Sequence, residues 1–161
     1  MKVMSGDTDL IKLYSQRILA LAAEIPRAER LPNPQVSAKK RSPLCGSTVT
    51  VDLVLRDGRI VELGQDVKAC ALGQAAASVL GHCVIGCTRE NIARARDQLR
   101  AMLKEGGPAP DAPFDGLEVL MPARDYKNRH ASILLALEAT LAAFDEALES
   151  GLAEPAPGHA G

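Results

Sequence analysis

The stretch that decides the fold reads Cys45-Gly46-Ser47-Thr48-Val49-Thr50-Val51-Asp52-Leu53-Val54-Leu55-Arg56-Asp57-Gly58-Arg59-Ile60 and continues to Lys68-Ala69-Cys70. Val49, Val51, Leu53 and Leu55 alternate with Thr48, Thr50, Asp52 and Val54. That period of two places one set on each face of a strand. Asp57-Gly58 is a pair that accepts positive φ, so it predicts a two-residue hairpin turn. The return strand then runs from Arg59 to about Lys68, and Gly64 within it marks the expected position of a bulge. A tight hairpin folds the chain back on itself. Cys45, just before the first strand, and Cys70, just after the second, are therefore predicted at one edge of the sheet.

Working outward, Ile11, Tyr14, Ile18 and Leu21 recur at helical spacing and predict a first helix over 8–24. Asp7 and Thr8 are its candidate caps, and Pro26 ends it. A polar linker follows through Pro32 and Pro34 to Ser42, with Lys39-Lys40-Arg41 read as a solvated loop. Beyond Cys70, the small residues of 71–81 predict a short buried helix. Thr88 caps a longer one with Ile92, Ala95, Leu99 and Met102 on one face, and Gly106-Gly107-Pro108 stops it. A Pro-rich loop over 108–116 and a helical turn at 117–120 lead to a last helix over 128–149. Its apolar stripe is Leu134, Leu137, Leu141, Phe144 and Leu148. The order of helix, strands, then helices predicts an α+β domain over 1–150, with helices on one face of a small antiparallel sheet and a loose tail over 151–161.

The 161 residues suit one domain, and an apolar fraction of 47% is enough for a core. With aromatics at 2%, that core is built of Ala, Leu, Val and Ile. The net charge of −1, from 19 basic and 20 acidic residues, gives no electrostatic footprint for nucleic acid. No apolar run spans a membrane, and the N-terminal residues show no secretory pattern, so the chain is expected to be cytoplasmic. In that reducing compartment four cysteines are expected to be thiols or metal ligands.

Cys45 and Cys70 stand beside small residues, Gly46, Ala69 and Ala71, which leave room around the sulfurs. Thiolates suit zinc, Cu(I) and iron–sulfur clusters, whereas the plain alternative is a pair of buried apolar cysteines. Cys83 and Cys87 are spaced i, i+4, but Gly86 breaks the continuity between them. They read as structural, one in the core and one near a helix start. His130 opens the last helix, where a side chain can face a site at the sheet edge. His82 lies near a helix end and His159 in the tail. There is no P-loop, dinucleotide fingerprint, G-x-S-x-G or H-E-x-x-H, and the carboxylates show no pairing for acid–base work.

Taken together, these pieces resemble the U-type iron–sulfur cluster assembly scaffolds: IscU, SufU and the N-terminal domain of NifU. The resemblance starts at Leu13-Tyr14-Ser15-Gln16-Arg17-Ile18-Leu19. It runs through Cys45-Gly46 and the Asp57-Gly58-Arg59-Ile60 hairpin, and is densest at Ala69-Cys70-Ala71-Leu72-Gly73-Gln74-Ala75-Ala76-Ala77-Ser78. Gly86-Cys87-Thr88 and His130-Ala131-Ser132-Ile133-Leu134 extend it to the last helix, and the long segment before that helix is more like SufU than IscU. The family site has three Cys and one Asp, with a His beside the last Cys in the IscU branch. Cys45 and Cys70 match the first two thiols. Ser47 stands at the Asp position, and Ala131 or His130 at the third Cys, so two anionic ligands are replaced.

The resemblance implies a non-enzymatic scaffold that binds iron or a [2Fe–2S] cluster, or zinc in its place, at Cys45, Cys70 and His130 with Ser47 beside them. Its expected partners are a cysteine desulfurase and iron–sulfur acceptor proteins. Two other readings stay open: a zinc-dependent sulfurtransferase that accepts persulfide at Cys45 or Cys70, and a metal-free interaction module.

Overall fold

The structure, a computed structural model, describes residues 15–43 and 46–151. Helix α1 spans Gln16–Ala23 and is capped by Ser15, whose hydroxyl accepts from the Ile18 N–H. Strands β1 (Val36–Arg41), β2 (Thr48–Arg56) and β3 (Arg59–Lys68) form an antiparallel sheet in the order β1-β2-β3. Helix α2 spans Ala71–Cys83 and α3 spans Arg89–Lys104. A 3-10 segment, Asp115–Asp125, leads into the long α4, Lys127–Glu149. The expected caps at Asp7 and Thr8, the apolar Ile11 and Tyr14, and the expected tail beyond Gly151 lie outside the described residues.

The hairpin forms as its turn residues require. Asp57 and Gly58 both take positive φ, at 54° and 72°, and Arg56 faces Arg59 across the turn. Val49, Val51, Leu53 and Leu55 are all buried on the face that takes the helices, and α4 packs across β1 and β2 there. On α4 the stripe from Leu134 to Phe144 is buried in the same core. Thr88 caps α3 through a reciprocal pair of bonds with Asn91, one from the Asn91 N–H at 3.2 Å and one from the Thr88 N–H at 2.9 Å. The architecture is α+β, with helices packed on one face of a three-stranded antiparallel sheet.

Two expectations are corrected. The segment read as a polar linker to Ser42 contains an edge strand, β1, which pairs with β2 from Val36↔Leu53 to Arg41↔Thr48. Its outer half carries Lys39, Lys40 and Arg41, all exposed. Charges on an edge strand discourage further pairing, and they also mask the strand's apolar period. The bulge, expected at Gly64, falls instead at Val61, where the register slips between Val54↔Glu62 and Leu55↔Ile60.

Gly64 serves a different purpose. A Cβ there would lie 2.2 Å from the Glu29 carbonyl oxygen, so the linker crosses the sheet against it, on the face away from the helices. Its cross-strand neighbour Asp52 is fully buried and fixes the same crossing. Asp52 accepts from Arg30 Nε at 2.6 Å, Arg30 Nη2 at 2.9 Å, the Leu31 N–H at 2.9 Å and Ser37 Oγ at 2.5 Å. Burial alone would raise the pKa of this carboxyl. The bonds from Arg30, Ser37 and Leu31 outweigh it and hold the group below the usual carboxylate range.

Candidate functional site

Cys70 follows β3 by two residues and is the N-cap of α2, in extended backbone (φ −68°, ψ 170°). Its thiol is partly buried, and Sγ lies 3.6 Å from Ser132 Oγ on α4. Ser132 Oγ also lies within hydrogen-bond distance of Ser47 Oγ, at 3.2 Å. Ser47 precedes β2 with the same parity as Val49 and Val51, which turns it toward α4. Three distant segments thus meet in a short chain of polar atoms, Cys70–Ser132–Ser47, with both serines buried. Helices α2 and α4 approach this closely because residue 73 is glycine: a Cβ there would stand 2.7 Å from Ser132 Oγ.

The surroundings favour a thiolate at Cys70. Burial pushes the thiol up, but the Gly73 N–H, the Ser132 hydroxyl, the Leu72 N–H and the Arg129 guanidinium together bring it below the ordinary cysteine value. The start of a 13-residue helix adds its own positive end. The other two described cysteines behave oppositely. Burial pushes Cys83 up to about 12, helped by Cys87 and Asp115, and it donates to the Val79 carbonyl at 2.9 Å. Burial likewise pushes Cys87 up to about 11 against the pull of Arg59, and it donates to the Cys83 carbonyl at 3.4 Å. Both are packing residues, as expected from the break at Gly86 between them.

Cys45 lies outside the described residues. On either side of it the chain is held at a narrow neck, where the Ser42 N–H donates to the Ser47 carbonyl at 2.8 Å and the Gly46 N–H to the Ser42 carbonyl at 2.9 Å. Ser47, the residue at the family's Asp position, stands beside Ser132 as described. His130 goes elsewhere. It is 2% exposed, and its Nε2 lies 3.0 Å from the carbonyl oxygens of both Ala123 and Arg124. Two carbonyls can only accept, so Nε2 carries the proton and fastens α4 to the end of the 3-10 segment. Two residues along a helix is a turn of roughly 200°, so His130 and Ser132 project from nearly opposite sides of α4. His130 lines a separate hollow of about 450 Å³ with Lys104, Arg124 and Lys127.

Among the described residues, no three His, Cys, Asp or Glu side chains converge on a metal position. A hollow of about 600 Å³, lined by Leu21, Glu24, Val79, His82 and Asp115, does not include Cys70. Sequence reasoning missed Ser132 and Arg129. They sit i, i+3 on α4, one helical face, and that spacing was the available signal. A Ser and an Arg on a helix are otherwise ordinary, and only the close α2–α4 contact gives them a role.

Comparisons with known proteins agree with this fold. A crystal structure of a nitrogen-fixing NifU-like protein (N-terminal) from Brucella abortus is 44% identical, with a TM-score of 0.85, over 88% of this chain and 98% of that one. A putative iron–sulfur cluster assembly scaffold protein for the SUF system from Fervidobacterium islandicum has the same fold, with a TM-score of 0.73 at 20% identity over 83% of this chain and 98% of that one. A hypothetical protein solved at 2.3 Å resolution has it as well, with a TM-score of 0.70 at 18% identity over 84% of this chain and 98% of that one. No protein-family model and no curated protein matches the chain.

Proposed function

Since the chain belongs to the family of NifU-like N-terminal proteins, we propose that it is an iron–sulfur cluster assembly scaffold that carries iron or a [2Fe–2S] cluster as cargo. The observation that carries this reading is Cys70: a partly exposed thiol at a sheet edge, biased toward thiolate by a helix start, a hydroxyl and a guanidinium. A thiolate is the ligand that iron–sulfur cargo requires, and zinc accepts the same donor. Cys45 and Cys70 supply the thiolates, and Ser47 stands as an oxygen donor beside them. His130 can join this set only by giving up its bonds to the Ala123 and Arg124 carbonyls. With few protein ligands, the remaining coordination positions fall to solvent or to a thiol of the receiving protein, which suits a carrier that must release its load. A cysteine desulfurase is the natural source of sulfur.

The test is metal and sulfide content with the absorption spectrum of anaerobically purified chain, beside a Cys45→Ala/Cys70→Ala variant. Iron with sulfide-to-iron absorption, lost in the variant, is the expected result. Absence of bound metal in both proteins after reconstitution would sink the reading.

The thiolate bias at Cys70 also favours a second reading, persulfide acceptance. The Cys70 thiolate would attack the outer sulfur of a desulfurase persulfide, the S–S bond would break, and the desulfurase thiolate would leave. One added sulfur on the Cys70 peptide after incubation with desulfurase and cysteine supports it, and an unmodified peptide counts against it.

A further inference from the structure

Ser132 is the hinge of the polar chain at the site, and its place rests on three observations. Its hydroxyl lies within reach of both Cys70 Sγ and Ser47 Oγ, it is 1% exposed, and the glycine at 73 leaves the gap that its oxygen occupies. A hydroxyl has one proton to give, so Ser132 can donate either to the Cys70 sulfur or to Ser47 Oγ. A sulfur bonded to cargo has no proton and can only accept, and the buried Ser132 hydroxyl, 3.6 Å away, is the donor that the geometry supplies.

We propose that Ser132 is a positioning residue for the cargo, its buried hydroxyl donating a hydrogen bond to the Cys70 sulfur. The proposal rests on the scaffold reading for what is loaded, but the contact itself belongs to the chain. Hydrogen bonds to ligand sulfurs withdraw electron density and raise a cluster's reduction potential. The hydroxyl also joins Cys70 to Ser47, whose carbonyl accepts from the Ser42 N–H.

The experiment uses the full chain as wild type, Ser132→Ala and Ser132→Thr, the last keeping a hydroxyl. After anaerobic reconstitution with iron and sulfide, Ser132→Ala is expected to lower the cluster's reduction potential and move its sulfur-to-iron absorption to longer wavelength, with Ser132→Thr near wild type. Superimposable potentials and spectra for all three would overturn the proposal. A second measurement needs no cargo: modification of the Cys70 peptide by iodoacetamide at neutral pH, followed by mass spectrometry. Ser132→Ala is expected to slow it roughly fivefold, as loss of one hydrogen bond to sulfur implies, with rescue in Ser132→Thr. Equal rates would overturn the proposal even if wild type takes up no cluster, an outcome that would separately remove the scaffold reading.

Discussion

Gly73 and Ser132 mark the point where α2 and α4 touch: a Cβ on residue 73 would stand 2.7 Å from the Ser132 hydroxyl oxygen and 3.1 Å from its carbonyl oxygen. Neither oxygen can yield far, because one belongs to the polar chain at Cys70 and the other to the helix backbone. Gly73→Ala is expected to destabilise the protein by about 1–3 kcal/mol through overpacking. It is also expected to pull Ser132 away from Cys70. Denaturant unfolding measures the first effect, and slower alkylation of Cys70 measures the second. Unchanged stability and reactivity together would show that the helices separate freely here.

The three described thiols are expected to react in a fixed order as pH rises. Cys70, held below the ordinary cysteine value, forms thiolate first. Cys87 and Cys83 stay protonated until pH approaches about 11 and about 12. Alkylation followed peptide by peptide should label Cys70 at neutral pH and spare the other two in folded protein. Early labelling of Cys83 would contradict the burial that sets its pKa.

Asp52 gives the sheet's second face an acid-sensitive fastening. Its pKa is lower folded than unfolded, so its contribution is fully present above the ordinary value of 3.8 and is lost as pH falls through the lower folded value. Asp52→Asn should cost about 2 kcal/mol, since it removes the charge that holds Arg30 and weakens the bonds from Leu31 and Ser37. It should also flatten the loss of stability in acid. Unfolding curves over a range of acidic pH check both, and an unchanged acid profile would assign the sensitivity to another carboxylate.

His130→Ala should lower stability by about 1–3 kcal/mol, because two carbonyls at the end of the 3-10 segment lose their donor. Cys70 alkylation and the metal content of loaded protein should not change. Loss of metal in this variant, at preserved stability, would instead return His130 to the ligand set.

The hairpin was legible because its residues answer to short-range rules: alternation in β2, and positive φ at Asp57 and Gly58. The helices were legible from their apolar spacing and from Thr88. Strand β1 was not, because Lys39, Lys40 and Arg41 are chosen for the solvent at an edge and carry no core pattern. At the site, Cys70 could be named from sequence because a hairpin's ends must meet, and Ser47 because the resemblance puts it at the Asp position of the family site. The direction of His130 could not, because the first turn of α4 offers several faces and the choice is made by carbonyls at 123 and 124. Ser132 was invisible for a similar reason: its partners lie 62 and 85 positions away.

Those separations bear on how the site comes into being. The hairpin alone gathers the residues on either side of the sheet edge, but the hydroxyl that joins Cys70 to Ser47 arrives only when α4 settles across β1 and β2. A polypeptide ending before α4 would keep the Ser47 and Cys70 positions and lack the bridge between them. The bridge is therefore a property of the completed fold, and a nascent chain acquires it only after α4 has docked.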